Sequence, residues 1–91
     1  MKLGLLAGNI GPRVKVNLDV VKHAEALGFD SVWTAEAWGG DAVTPATWML
    51  AHTSKIKVGT AIMQMPARSP AMSAMTAMSL AELSGGRFIV G

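Results

Sequence analysis

The stretch from Lys55 to Gly91 limits the possible folds more than any other part of the chain: KIKVGTAIMQMPARSPAMSAMTAMSLAELSGGRFIVG. Ile56 to Ile62 is apolar and partly β-branched, the composition of a strand covered on both faces. The loop after it carries Pro66, Arg68 and Pro70. Ser69-Pro70 is a helix start, because the Ser hydroxyl can cap free amides and Pro suits the first helical position. Ala, Met and Leu then run to Leu83, and Ser84-Gly85-Gly86 stops the helix, since glycine takes the left-handed conformation that ends helices. Arg87 to Gly91 opens another strand. A strand, a crossover helix and a second strand make a βαβ unit, with parallel strands and a right-handed crossover.

The same alternation runs upstream. Lys2 to Ala7 reads as a strand, and Gly8-Asn9-Ile10-Gly11-Pro12 as a loop broken by glycine and proline. Val14, Leu18, Val21, Ala24 and Leu27 fall near one helical face, and Gly28 ends that helix. Phe29 to Ala35 is a strand, Glu36 to Asp41 a loop, and Thr44-Pro45 starts a short helix reaching about Thr53. Strands starting near residues 2, 29, 56 and 87 repeat at roughly the interval that eight strand–helix units over ~250 residues require. Three units and a fourth strand are present, about half of such a barrel. A half barrel has two bare sheet edges, which invite pairing. Three readings stay open: a gene fragment, one piece of an assembly whose copies cover the edges, or a compact βα domain that stands alone.

Composition narrows the function. Residues of the AVILMFWYC set make up 51% and charged residues 15%, which excludes a disordered chain. So apolar a small domain implies surface that meets a partner or a missing part of the same fold. The net charge of +2 and the scattered Arg13, Lys15 and Lys22 argue against nucleic acid. No cysteine is present, so no disulfide or thiolate site can form, which is compatible with a cytoplasmic setting. Charges and prolines interrupt every stretch that might approach the ~18 apolar residues of a membrane helix, and the N-terminus is no secretory signal.

In parallel βα folds the functional loops lie at the carboxyl ends of the strands. Glu36 is the one carboxylate placed directly at a strand end; it is either a ligand contact or a capping or salt-bridging acid. Asn9 is a donor from the first loop or a turn former. Arg68 could bind a phosphate or carboxylate near the next helix, or fix its own loop. Trp38 is a candidate pocket wall, whereas Trp33, Trp48 and the helically spaced Met72, Met75 and Met78 read as core. Ser73, Thr76, Ser79 and Glu82 paint a narrow polar stripe on that last helix. His23 and His52 lie away from the loop ends and read as structural, and no metal-ligand spacing or Ser-His-acid set stands out. Gly8-Asn9-Ile10-Gly11 lacks the lysine and spacing of a phosphate loop.

Gly59-Thr60-Ala61-Ile62, Arg68-Ser69-Pro70-Ala71, and Leu83-Ser84-Gly85-Gly86-Arg87-Phe88 followed by Val90-Gly91 together resemble the luciferase-like monooxygenase superfamily. The resemblance covers nearly the whole chain and is greatest with the branch of oxidoreductases that use the deazaflavin coenzyme F-420. It implies an α/β fold, the N-terminal half of a (β/α)8 TIM barrel in one unit over residues 1–91, with parallel strands, three crossover helices and a fourth strand. It implies hydride transfer between reduced F-420 and a small organic substrate in a full-length enzyme, with little or no turnover by this chain alone. By the same resemblance Thr60, Ala61, Ile62 and Met63 would contact the cofactor, with Ala61-Ile62 a non-proline cis peptide behind the ring; from their loop positions Asn9 and Glu36 are further cofactor-binding candidates, and Trp38 and Arg68 are candidates for the substrate pocket. The family's second loop often pairs an acid with a proton-transferring His. Here Glu36 is followed by Ala37, so only Glu36 remains as a catalytic candidate. Two alternatives stay open: an FMN-dependent monooxygenase of the same superfamily, and a non-catalytic half barrel that associates with copies of itself or with the missing half.

Overall fold

The computed structural model describes residues 1–7, 14–36 and 39–91. Seven elements alternate along them: β1 (Gly4–Leu6), α1 (Leu18–Ala26), β2 (Ser31–Thr34), α2 (Val43–Ala51), β3 (Lys57–Thr60), α3 (Pro70–Ser84) and β4 (Phe88–Ile89). The strands form one parallel sheet in the order β1-β2-β3-β4, with Leu5, Val32, Val58 and Phe88 aligned across it. This is the expected α/β architecture. Among the described residues, β1 and β4 each pair on one side only, and no helix is long and apolar enough to cross a membrane.

Local chemistry sets where the elements begin. Helix α1 starts four residues later than its apolar pattern predicts, because Asn17 Oδ1 accepts a hydrogen bond from the Val20 amide at 3.3 Å and caps the helix at that point. At α2 the cap comes from Asp41, whose Oδ2 accepts from the Thr44 amide at 2.8 Å and from its hydroxyl at 3.0 Å. Helix α3 starts as the sequence predicts: Ser69 Oγ accepts from the Met72 amide at 3.1 Å, and Pro70 follows. It ends at Gly85, whose φ of 67° is left-handed.

All three helices cover one face of the sheet. Val21 and Ala24 of α1, Ala46, Met49 and Leu50 of α2, and Leu80 of α3 pack with Val32, Ile56 and Val58. Neighbouring residues of a strand point to opposite faces, so Leu6, Trp33, Gly59 and Ile89, aligned in register, occupy the other face. There the Trp33 ring lies across β3 so closely that a Cβ on Gly59 would overlap its ring carbons. Trp33 is thus half-buried on the helix-free face rather than in the main core.

Two further core expectations are corrected. Met72, Met75 and Met78 are 49%, 54% and 71% exposed, while Ser73, Leu80 and Ser84 of α3 turn inward. Apart from Glu82 the helix carries no charge, so apolar spacing could not tell its two faces apart. The expected polar stripe splits, with Ser73 buried and Ser79 and Glu82 exposed. Trp48 is also outside the core; it is about half exposed and packs on the His52 ring at a centroid distance of 4.5 Å.

Candidate functional site

The carboxyl end of the sheet brings together the segments that follow β2 and β3. Glu36, two residues past β2, folds its carboxylate into the interior; its side chain is 7% exposed. Oε1 accepts from the Gln64 amide at 2.6 Å and from Arg68 Nη1 at 2.6 Å. Oε2 accepts from the Ala42 amide at 2.8 Å and from Arg68 Nη2 at 2.9 Å. The two parallel N–H···O contacts are the bidentate fork geometry that suits guanidinium and carboxylate. A carboxylate offers about four lone-pair directions, and all are taken within the protein.

This arrangement fixes charge as well as shape. The Arg68 guanidinium, helped by the amides of Ala42 and Gln64, outweighs the opposing effect of burial and holds the Glu36 carboxyl down at about 2. At neutral pH the group is an anion whose charge is cancelled on the spot. Arg68 Nη1 also donates to the Gln64 carbonyl at 3.3 Å, so the guanidinium fork faces its own loop instead of an outside anion. The pair forms part of the wall of an open cleft of about 360 Å³, together with Gly39, Gly40, Asp41, Gln64 and Ala67.

The rest of the segment after β3 is held by backbone. Thr34 Oγ1 donates to the Ala42 carbonyl at 2.8 Å, so Thr34 and Glu36 between them fix both polar groups of Ala42. The Ala61 amide donates to the Thr34 carbonyl, and the Met63 amide to that of Gly91 at 3.2 Å. The Ala61–Ile62 peptide bond is cis. Thr60 and Met63 have buried side chains, whereas Ala61 is exposed and Ile62 is 65% exposed. Of these four, only Ala61 and Ile62 offer side chains to a ligand.

The structure therefore brings Glu36, Arg68 and the Thr60–Met63 segment into one cluster. Asn9, Ala37 and Trp38 lie outside the described residues. Sequence reasoning missed Thr34, Ala42 and Gln64, whose roles rest on backbone groups or a hydroxyl. Glu36 and Arg68 are 32 residues apart, and no local pattern links them. It missed two groups at the opposite end of the sheet as well. There Glu25 Oε2 accepts from the amides of Ser54, Lys55 and Ile56 at 2.9, 2.7 and 3.0 Å. Arg87 donates to the carbonyls of Leu50, Thr53, Ile56 and Ser84.

Comparison with known proteins adds four findings. The family model described as luciferase-like monooxygenase matches residues 2–91. A Mycobacterium tuberculosis protein assigned as a coenzyme F-420-dependent oxidoreductase is 48% identical over 92 residues, covering 100% of this chain and 26% of that protein. Among solved structures, the F-420-dependent tetrahydromethanopterin reductase of Methanopyrus kandleri superposes with a TM-score of 0.79 at 28% identity, over 99% of this chain and 26% of its own. A monooxygenase of Streptomyces bottropensis superposes with a TM-score of 0.85, also at 28% identity, over 100% of this chain and 32% of its own. The chain spans about a quarter of the length of the first two.

Proposed function

Since the chain belongs to the luciferase-like monooxygenase family, we propose that it forms part of the cofactor-ring wall of an oxidoreductase that uses coenzyme F-420. The observation that carries this reading is the exposed Ala61–Ile62 surface at the carboxyl end of β3, in a chain 48% identical to a protein assigned as F-420-dependent. A flat deazaflavin ring needs an apolar backing held in place by ordered backbone. Ala61 and Ile62 are that kind of surface, and the amides of Ala61 and Met63 are both hydrogen-bonded. The neighbouring carboxylate and guanidinium neutralise each other and leave no bare charge against the ring. When bound, the coenzyme would supply hydride transfer with a small organic substrate. This chain's residues would place the ring and exclude water from one side of it; Glu36 stays ionised at neutral pH and holds no proton to give.

A second reading is an FMN-dependent monooxygenase; the superposition on the S. bottropensis enzyme, itself described as a monooxygenase, supports the reaction class of that reading but not its cofactor. Titrating the purified chain with F-420 and FMN, followed by fluorescence, separates the two. Saturable F-420 binding with weaker FMN binding supports the first reading, and the reverse order supports the second. By either reading the chain alone has little or no turnover, because it spans about a quarter of its relatives; measurable oxidoreductase activity from the 91 residues would overturn that. The two singly paired edge strands support self-association or pairing with a complementing half barrel. Light scattering should give a mass above the monomer, and a clean monomer would contradict it.

A further inference from the structure

We propose that Glu36 and Arg68 are positioning residues: without touching the ring, they hold the segment after β3 in the place where Ala61 and Ile62 can meet it. The inference rests on the ring-wall reading above and assigns these two side chains a role within it.

Connectivity carries the argument. Oε1 of Glu36 takes the amide of Gln64, two residues beyond Ile62, while Oε2 takes the amide of Ala42 at the start of α2. Arg68 closes the loop from its far side, binding both carboxylate oxygens and the Gln64 carbonyl. The Arg68 amide in turn donates to the Met65 carbonyl at 3.1 Å, which folds residues 65–68 into a turn. One buried carboxylate thus ties three points of the carboxyl end together: the start of α2, the middle of the β3–α3 loop and the end of that loop. Removing its charge would leave the part-buried Ala42 amide, the Gln64 amide and the Arg68 guanidinium with a poorer acceptor, and the last two belong to the loop that begins at Ala61–Ile62.

Contact with a ligand is a poorer account of the same residues. The Glu36 side chain is 7% exposed, the Arg68 side chain is 16% exposed, and the acceptor directions of the acid are full. A purely global stabilising role is poorer too. The amino end of the sheet has its own clamp in Glu25 and Arg87, whereas every bond of the Glu36–Arg68 pair goes to the segments flanking the proposed ring surface.

The test uses the full 91-residue chain with Glu36→Gln, Arg68→Lys and, as an amino-end control, Glu25→Gln. Amide hydrogen exchange is read first, because it needs no cofactor. Glu36→Gln should lower protection of the Ala42 and Gln64 amides at least tenfold relative to Val58 in the core, while Glu25→Gln should leave that ratio unchanged. F-420 affinity, measured by fluorescence under conditions where every variant is folded, should weaken about tenfold in Glu36→Gln and by a smaller factor in Arg68→Lys. It should not change in Glu25→Gln. A uniform loss of protection that includes Val58, or parent-like F-420 affinity in folded Glu36→Gln, overturns the proposal. If the parent chain binds no F-420, the ring-wall reading is what fails, and the exchange ratios alone still decide whether the pair holds the loop.

Discussion

The two ends of this sheet use the same pair of chemical groups in opposite ways. At the amino end, Glu25 and Arg87 each turn to backbone. The acid collects three amides of residues 54–56, and the guanidinium donates to carbonyls where α2 finishes and β3 begins. At the carboxyl end, Glu36 and Arg68 grip each other, and only the acid's remaining lone pairs go to amides. A cation at a helix C-terminus satisfies orphan carbonyls and sits favourably in the helix dipole, so the amino-end groups join turns to the core. The carboxyl-end pair cancels its own charge and shapes a rim. On the proposed function, one end is built mainly to hold and the other mainly to present.

If that division is right, the largest loss of stability should come from the amino end. Arg87→Leu leaves buried or half-buried carbonyls of Leu50, Thr53 and Ile56 without a charged donor, at a cost of ~3 kcal/mol or more in urea denaturation. Glu36→Gln should come next, at ~1 kcal/mol, because the loop it holds opens locally before the core unfolds. Its signature is the accompanying loss of ligand affinity, which Arg87→Leu should not show among molecules that remain folded. A Glu36→Gln protein as stable as the parent would collapse the distinction.

Acid should act on the carboxyl-end pair with a definite sign. The Glu36 carboxyl lies near 2 in the fold, below its ordinary 4.5. Its stabilisation is therefore complete above about pH 4.5 and is lost as the pH falls toward 2. Glu25 is lowered as well: burial pushes its carboxyl up, but the amides of Ile56, Lys55 and Ser54 together with Arg87 outweigh that. Denaturation between about pH 6 and pH 2.5 should show the parent losing stability more steeply than Glu36→Gln, and equal slopes would contradict the pairing. The smallest expected effect is at Lys57, whose 3.8 Å contact with Asp30 is exposed. Lys57→Ala should change stability by less than about 0.5 kcal/mol, and a larger loss would mean the amino-end clamp extends to the surface.

Much of this was legible in the sequence, and the reason differs from part to part. The strand–helix alternation and both ends of α3 rest on neighbouring residues, Ser69-Pro70 and Ser84-Gly85, so a linear reading finds them. Asn17 carried an equally local signal for the start of α1, but the apolar pattern beginning at Val14 obscured it. The inward face of α3 was not legible, because a helix apolar on both sides has no preferred side until its neighbours are placed. Glu36 was recognisable as a strand-end acid. Its partner was not, because pairing across 32 residues depends on how two loops are brought together by the sheet. Arg87 was legible only as the start of a strand, and its carbonyl partners lie 31 to 37 residues away apart from Ser84.

On the proposal above, the carboxyl end presents a ring surface held by Glu36. The most direct test is the F-420 dissociation constant of Glu36→Gln set beside that of Glu25→Gln, both at a temperature where hydrogen exchange shows them folded. The account predicts saturable binding in both, about tenfold weaker in Glu36→Gln and parent-like in Glu25→Gln. Equal affinities in the two variants, or a loss in Glu25→Gln alone, would contradict it.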